Sequence, residues 1–171
     1  MRWLVLTGYM GAGKTSVGRR VAARLERPFV DADDVVQEQA GMTIAEIFPK
    51  KGELWFRRTE EAAIRDVLEG DPGVLALGGG ALESAKTRAL VARVADVVWL
   101  HVTPEVAWER VSGSDRPLAA DRGRFVRRAA AREAGYREAA HLEVDAGEPL
   151  DHIVARVAGW ALRTGDDGDT R

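Results

Sequence analysis

The fold of this chain is decided by the run Gly8-Tyr9-Met10-Gly11-Ala12-Gly13-Lys14-Thr15. The run follows the apolar stretch Trp3-Leu4-Val5-Leu6 and precedes a helix-like segment that begins at Ser16. This is the pattern G-x-x-x-x-G-K-[ST] between a strand and a helix, which is typical of a phosphate-binding loop. Glycines allow successive backbone N–H groups to turn inward around an anion, and the positive end of the following helix faces the same anion. We therefore predict that this loop binds the phosphates of a nucleotide.

Two side chains of the loop have the chemistry that nucleotide phosphates need. The Lys14 ammonium can reach the outer phosphates, and the Thr15 hydroxyl can bind a magnesium ion. A dinucleotide-binding loop of the pattern G-x-G-x-x-G is the alternative, because Gly11-Ala12-Gly13 begins that pattern. Its third glycine position is occupied by Ser16, however, and such a loop has no need of Lys14 or Thr15. The sequence therefore favours the nucleotide phosphate loop.

Length and composition indicate one globular domain. The chain has 171 residues, of which 46% are hydrophobic and 30% charged. Its formal net charge of -2 argues against nucleic acid as the main partner, since such proteins carry a strongly basic face. There is no cysteine, which excludes disulfides, thiolate metal sites and cysteine nucleophiles. The first apolar run is too short for a signal peptide or a membrane span, so we expect a cytoplasmic protein without membrane contact.

Short β-rich runs alternate with helical patterns along the chain. Most of these runs are apolar on both faces, as in strands that helices cover on both sides. The predicted strands are Trp3–Thr7, Pro28–Asp31, Val74–Leu77, Val97–Val102 and Leu142–Asp145. The predicted helices are Lys14–Leu25, a short one from about Asp33, one with a capping box at Thr43, Glu53–Leu68, Ser84–Arg93, Glu105–Val111 and Leu150–Leu162. This alternation predicts an α/β fold with a central five-stranded parallel sheet, helices on both faces, and ligands beyond the carboxyl ends of the strands.

Two segments do not fit the predicted core. Residues 112–136 are charged, arginine-rich and poor in large aliphatic side chains, so we interpret them as a mobile cover, with a lid at about 112–124. Arg116 lies in this lid, where an arginine could neutralise the charge of a transferred phosphoryl group; a generic charged loop is the alternative. Residues 164–171 are polar and glycine-rich, which predicts a disordered tail after a single domain at 1–163.

Polar residues and glycines follow the second and third predicted strands. Alternate residues of an extended segment share a face, so Asp31 and Asp33 can both point into the cleft beside the phosphate loop. One carboxylate could hold magnesium through its waters while the other orients a substrate hydroxyl; the alternative is a helix cap with solvated neighbours. The triplet Gly78-Gly79-Gly80 would let the backbone approach a ligand closely, or it is an ordinary flexible connection. Arg57 could instead be a surface residue that forms ion pairs, because Glu53 lies four residues before it and Glu61 four residues after it on the same predicted helix.

In this order, these segments resemble the shikimate kinase family. The similarity runs from the first strand to about Leu162, which is nearly the whole chain. The combination of D-x-D, G-E-x-x-F-R and G-G-G with this phosphate loop is highly specific, although no single piece is. The matching segments are Gly8–Gly18, Phe29–Asp33, Gly41–Phe48, Gly52–Glu61, Leu77–Ala81 and Arg116–Leu118.

The resemblance implies a monomeric P-loop kinase that uses ATP and Mg²⁺ to phosphorylate the 3-hydroxyl of shikimate, on the chorismate route to aromatic amino acids. It assigns ATP to Gly11, Ala12, Gly13, Lys14, Thr15, Ser16, Arg110 and Arg116. It assigns magnesium to Thr15 and, through water, Asp31. It assigns shikimate to Asp33, Arg57, Gly79, Gly80 and Arg132. The catalytic residues that it implies are Lys14, Asp31, Asp33 and Arg116.

The chain departs from the family pattern near Arg132. The segment that commonly reads Arg-x-Pro-Leu-Tyr is Arg132-Glu133-Ala134-Gly135-Tyr136 here, and the lid Arg-Pro is followed by Leu118-Ala119 rather than a leucine pair. Arg128 or Arg137 could therefore supply the second contact to the substrate carboxylate instead. Two other functions stay open: another small-metabolite kinase such as gluconate kinase, and a nucleotide-binding module or switch without an acceptor.

Overall fold

Five parallel strands form the central sheet of the computed structural model, which describes residues 1–112 and 121–166. The strands are β1 Trp3–Thr7, β2 Phe29–Asp31, β3 Val74–Ala76, β4 Ala95–His101 and β5 Leu142–Asp145. Their spatial order is β2-β3-β1-β4-β5, so that β1 lies at the centre and pairs with both β3 and β4. The predicted five-stranded parallel sheet is confirmed. The largest shift of a strand start is at β4, which begins two residues before the predicted Val97.

In the described ranges, helices connect these strands and cover both faces of the sheet. The helices are α1 Lys14–Arg24, α2 Ala32–Ala40, α3 Ile44–Lys51, α4 Glu53–Leu68, α5 Ala85–Val94, α6 Pro104–Val111, α7 Arg122–Ala139 and α8 Leu150–Asp166, with a short 3-10 helix at Ala81–Glu83. The capping box predicted at Thr43 is confirmed, because Thr43 N–H donates to Glu46 Oε2 at 2.9 Å and Glu46 N–H donates back to Thr43 Oγ1. None of the helices in these ranges has both the length and the apolar character needed to cross a membrane.

Two layers of the core pack against the sheet, one on each face, and a third buried cluster joins α2, α3 and α4. Val5 of β1 packs in the layer formed with α4, α5, α6 and α7, whereas Leu4 and Leu6 face the layer formed with α1 and α8. This alternation follows from the two-residue period of a strand, and it explains why the strands read as continuous apolar runs.

Helix α7 corrects the interpretation of a mobile cover for residues 122–136. Four of its residues are buried at helical spacing: Phe125, Ala129, Arg132 and Tyr136. The Phe125 ring makes edge contacts with the Tyr9 and Trp108 rings, so the helix is part of the core. The sequence argument failed because it counted aliphatic residues, while two aromatic residues, an alanine and an arginine form the buried stripe.

The predicted segment boundaries change accordingly. Residues 122–124, which we assigned to the lid, begin α7, and Arg116 lies among residues 113–120, outside the described residues. At the other end, α8 continues to Asp166, so the chain is still helical at the point where we predicted the start of a disordered tail.

Candidate active site

A cavity of about 580 Å³ opens at the carboxyl end of the sheet, beside the phosphate loop. Parallel strands place the residues that follow them at this one edge, which is where the motifs were expected to meet. Seven of the predicted site residues line the cavity: Thr15, Asp31, Asp33, Arg57, Gly79, Gly80 and Arg132. The structure therefore brings the phosphate loop, the aspartates and two of the arginines to one place.

The phosphate loop ends at the N-terminus of α1, with Lys14 as the first helical residue. Lys14 Nζ donates to the carbonyls of Gly8 at 2.8 Å and Tyr9 at 3.1 Å, which holds the ammonium against the loop. Gly11 has a φ of 86°, and a Cβ at this position would lie 2.7 Å from the carbonyl oxygen of Ala107 on α6. Only glycine allows this loop and α6 to approach so closely.

Three other predicted nucleotide residues, Ala12, Ser16 and Arg110, lie in or beside the loop. Arg110 on α6 donates to the Gly11 carbonyl at 3.2 Å and to the Ala146 carbonyl at 2.9 Å, so it joins the loop to the segment after β5. Ala12 is buried under the loop, and Ser16 is exposed on the first turn of α1.

Asp31 links the phosphate loop to α2. Its Oδ2 accepts a hydrogen bond from Thr15 Oγ1 at 2.6 Å, and its Oδ1 accepts from the Asp33 backbone N–H at 3.0 Å as the N-cap of α2. The interpretation of Asp31 as a helix cap is therefore confirmed, and the same residue also lines the cavity. The strand ends at Asp31, so Asp33 reaches the cavity from the first turn of α2 and not from an extended segment, as the sequence argument assumed.

Arg57 is held in the cavity wall by a buried carboxylate. Its Nη1 lies 2.7 Å from Glu60 Oε2, and its Nη2 lies 3.6 Å from Glu53 Oε1. Glu60 is 2% exposed, and burial raises the pKa of its carboxyl above the ordinary value even though Arg57 acts in the opposite direction. A Cβ at Gly80 would lie 2.6 Å from the Arg57 guanidinium, so a larger residue there would push this arginine out of its position.

Glu60 is a site residue that the sequence argument missed. We weighed Glu53 and Glu61 as partners of Arg57, but Glu61 instead accepts from Ser84 Oγ at 2.6 Å and lies 3.2 Å from Lys86. The sequence could have indicated this pair, since Glu60 is three residues after Arg57 on the same helix. Glu60 also has the helical spacing of the buried residues Phe56 and Ala63, which places it on the buried face.

Arg132 is the arginine of α7 that reaches the cavity. It is 6% exposed, its Nη2 donates to Glu83 Oε2 at 2.7 Å, and its guanidinium lies 5.6 Å from the centre of the Tyr9 ring. Arg128 pairs with Glu53 at 3.7 Å and Arg137 with Glu133 at 2.6 Å. Among the described residues, the cavity lining includes Arg132 and neither of the two alternatives.

Glu83 and Tyr136 complete the connection between α7 and the triple glycine. The Tyr136 hydroxyl donates a hydrogen bond to the Gly79 carbonyl, and Glu83 lies at the end of the 3-10 helix that follows the glycines. Neither residue was given a role from the sequence, although Tyr136 stands in the segment compared with the family pattern.

A phosphate loop that faces a cavity lined by aspartate and arginine, on a parallel α/β sheet, defines a P-loop kinase for a small anionic metabolite. The chain belongs to the shikimate kinase family, because the family model described as Shikimate kinase matches residues 10–160.

Individual relatives agree with this assignment. The chain is 40% identical over 172 residues to a shikimate kinase of Symbiobacterium thermophilum, covering 96% of this chain and 99% of the relative. It is 45% identical over 157 residues to a shikimate kinase of Bradyrhizobium diazoefficiens, covering 90% of this chain and 76% of the relative. Among solved structures, the shikimate kinase from Acinetobacter baumannii in complex with shikimate has a TM-score of 0.88 at 31% identity, covering 100% of this chain and 96% of that chain. The resemblance inferred from the motifs is confirmed.

Proposed function

We infer that this protein transfers the terminal phosphoryl group of ATP to the 3-hydroxyl of shikimate, which gives 3-phosphoshikimate and ADP for aromatic amino acid biosynthesis. The observation that carries this inference is the single cavity in which the loop residue Thr15 faces Asp33, Arg57 and Arg132. Two arginines suit a carboxylate, because the planar guanidinium can bind it in a bidentate way. Gluconate kinase, the alternative weighed from the sequence, is not the family to which the chain belongs.

The nucleotide is proposed to lie along the phosphate loop. The loop N–H groups and the N-terminus of α1 attract its phosphates, and Lys14 exchanges its contacts with the loop carbonyls for the outer phosphates. Arg110 lies on the adenine side, where it already contacts the loop. Arg116 is proposed to close over the phosphates and to exclude water during transfer.

The acceptor is proposed to lie between Asp33 and the two arginines. Arg57 and Arg132 bind its carboxylate together with the backbone at Gly79 and Gly80, which leaves the 3-hydroxyl near Asp33. The Asp33 carboxylate orients this hydroxyl and accepts its proton as the 3-oxygen attacks the γ-phosphorus. The new O–P bond forms as the bond between the γ-phosphorus and the β–γ bridging oxygen breaks, and ADP leaves.

The residues present fit a magnesium ion beside the loop. Thr15 Oγ1 and Asp31 Oδ2 are hard oxygen donors only 2.6 Å apart, at the end of the loop that holds the phosphates. Within residues 1–112 and 121–166, no group of three or more His, Asp or Glu side chains could hold a metal ion without help. Mg²⁺ keeps several waters and takes other ligands from substrate phosphates, so two protein oxygens beside the phosphate loop are enough to hold it. When bound, the ion neutralises charge on the β- and γ-phosphates.

A coupled assay of ADP release, with and without shikimate, tests the proposed function. We expect turnover that requires both Mg²⁺ and shikimate, and near-background rates for Lys14→Ala and Asp33→Asn. Glu38→Gln is the matched control for Asp33→Asn, because it neutralises an exposed carboxylate on the same helix. Turnover with gluconate but not shikimate would support the other kinase, and nucleotide binding without any acceptor-dependent turnover would support a binding module.

Three further expectations stay predictions. They are a monomeric protein, a cytoplasmic location and the absence of nucleic acid among its partners.

A further inference from the structure

Helix α7 is tied to the triple-glycine segment at two points. The Tyr136 hydroxyl donates to the Gly79 carbonyl, and Arg132 Nη2 donates to Glu83 Oε2 at 2.7 Å. Tyr136 and Arg132 are four residues apart and therefore on the same face of the helix. Their partners lie on either side of the turn at Gly80, so the helix holds the whole turn that borders the cavity.

The hydrogen bond from Tyr136 to the Gly79 carbonyl also affects the neighbouring Gly80 N–H. The Gly79 carbonyl and the Gly80 N–H belong to one planar peptide, which is trans, and a trans peptide points these two groups in opposite directions. A hydrogen bond that fixes the carbonyl therefore also fixes the direction of the N–H. Glycine has more backbone freedom than other residues, so an external hydrogen bond restricts this peptide where its own residues do not.

Tyr136 is itself firmly placed. It is 3% exposed, and its ring centre lies 6.1 Å from that of Trp99 in the core layer. Burial raises the pKa of the Tyr136 hydroxyl above its ordinary value, so that the group stays protonated at neutral pH and remains a donor.

We propose that Tyr136 is a positioning residue for the acceptor's carboxylate: it holds the Gly79 carbonyl and so aims the Gly80 N–H into the cavity between Arg57 and Arg132. This hydrogen bond keeps the Gly80 N–H in place before the acceptor binds, so that binding does not have to order the Gly79–Gly80 peptide. The role goes through the backbone, and Tyr136 does not touch the acceptor. This inference rests on the proposed function, since it concerns the carboxylate of the same acceptor.

Tyr136→Phe tests the inference, because it removes the hydroxyl and keeps the ring that packs against Trp99. We expect the KM for shikimate to rise about tenfold while the KM for ATP stays within about twofold, the pattern of a lost contact at one substrate only. Shikimate binding measured by calorimetry without nucleotide should weaken by a similar factor. The methyl ester of shikimate is the second probe, because its carboxyl group carries no charge. The ratio of kcat/KM for the acid to that for the ester should fall about tenfold in the variant.

Glu133→Gln is the matched control, since Glu133 is on the same helix and pairs with Arg137. We expect both KM values of this variant to stay within about twofold of the wild type. An unchanged KM for shikimate in Tyr136→Phe would overturn the inference. A parallel rise in both KM values, or an equal loss with acid and ester, would also overturn it, because either would indicate general loosening. If the wild-type protein shows no shikimate-dependent turnover, the proposed function itself is wrong.

Discussion

At the scale of single residues, the site depends on which of several similar side chains reaches the cavity. Arg128 and Arg132 are one turn apart on α7, yet Arg132 lines the cavity and Arg128 pairs with Glu53. The sequence could name both arginines but could not choose between them, because residues four apart share one face of a helix and the choice depends on the position of α7 along its own axis. That position is set by the contacts of Phe125 with Tyr9 and Trp108 and by the hydrogen bond from Tyr136 to Gly79.

Alanine substitution at these two positions tests the choice. Arg132→Ala should raise the KM for shikimate at least about tenfold, because a charge-assisted contact to the carboxylate is lost. Arg128→Ala is the control and should change this KM less than about threefold. Steady-state kinetics with shikimate as the varied substrate measures both. The assignment of Arg132 would be wrong if the two variants behaved alike or if Arg128→Ala had the larger effect.

Two neighbouring carboxylates should show opposite pH dependence. Burial raises the pKa of Glu60 in the folded protein, so its contribution to stability is fully present below the unfolded pKa and is lost as pH rises through the folded pKa. Hydrogen bonds from Ser84 and Lys86 lower the pKa of Glu61, so its contribution is present above the unfolded pKa and is lost as pH falls through the folded pKa. The free energy of unfolding of the wild type relative to Glu60→Gln should therefore increase from about pH 7 to about pH 4, and relative to Glu61→Gln it should decrease.

Urea unfolding of the three proteins at several pH values measures this difference. The same pH slope for both variants would contradict the environments described for Glu60 and Glu61.

At the scale of elements, the sequence predicted most helices and strands and failed at α7. The helix start at Thr43 could be predicted because capping is local chemistry, and Thr43 caps α3 in the structure. Ser84 and Thr103 cap α5 and α6 in the same way. Helix α7 also has a local cap, since Asp121 Oδ1 accepts from the Arg124 N–H at 2.6 Å. Its place in the core could not be predicted, because its buried stripe includes an arginine and its aromatic contacts are with Tyr9 and Trp108, outside the helix.

Phe125→Ala tests the place of α7 in the core. Phe125 is 1% exposed between two aromatic rings, so its truncation should lower the free energy of unfolding by about 3–5 kcal/mol. Arg127→Ala removes an exposed side chain two residues away and should change it by less than about 0.5 kcal/mol. Denaturant unfolding gives both values. A loss below about 1 kcal/mol for Phe125→Ala would favour the mobile cover that the sequence suggested.

At the scale of the whole molecule, the strand order builds the site. The sequence predicted that the motifs follow parallel strands, but not which strands are neighbours, because pairing between distant segments leaves no local signal. In the structure β2, β3 and β1 are adjacent: Asp31 at the end of β2 and Leu6 of β1 both pair with Ala76 at the end of β3. The aspartates, the triple glycine and the phosphate loop therefore follow three contiguous strand ends and border one cavity.

The most direct test of the account is to identify the product. The protein is incubated with ATP, Mg²⁺ and shikimate, and the phosphorus and proton NMR spectra of the mixture show which oxygen carries the new phosphate. We predict a phosphate monoester on the 3-oxygen, formed in step with ADP and absent with Lys14→Ala. ATP consumption without a phosphorylated acid, or a phosphate on another hydroxyl, would contradict the claim that one cavity presents the 3-hydroxyl of shikimate to the terminal phosphate of ATP.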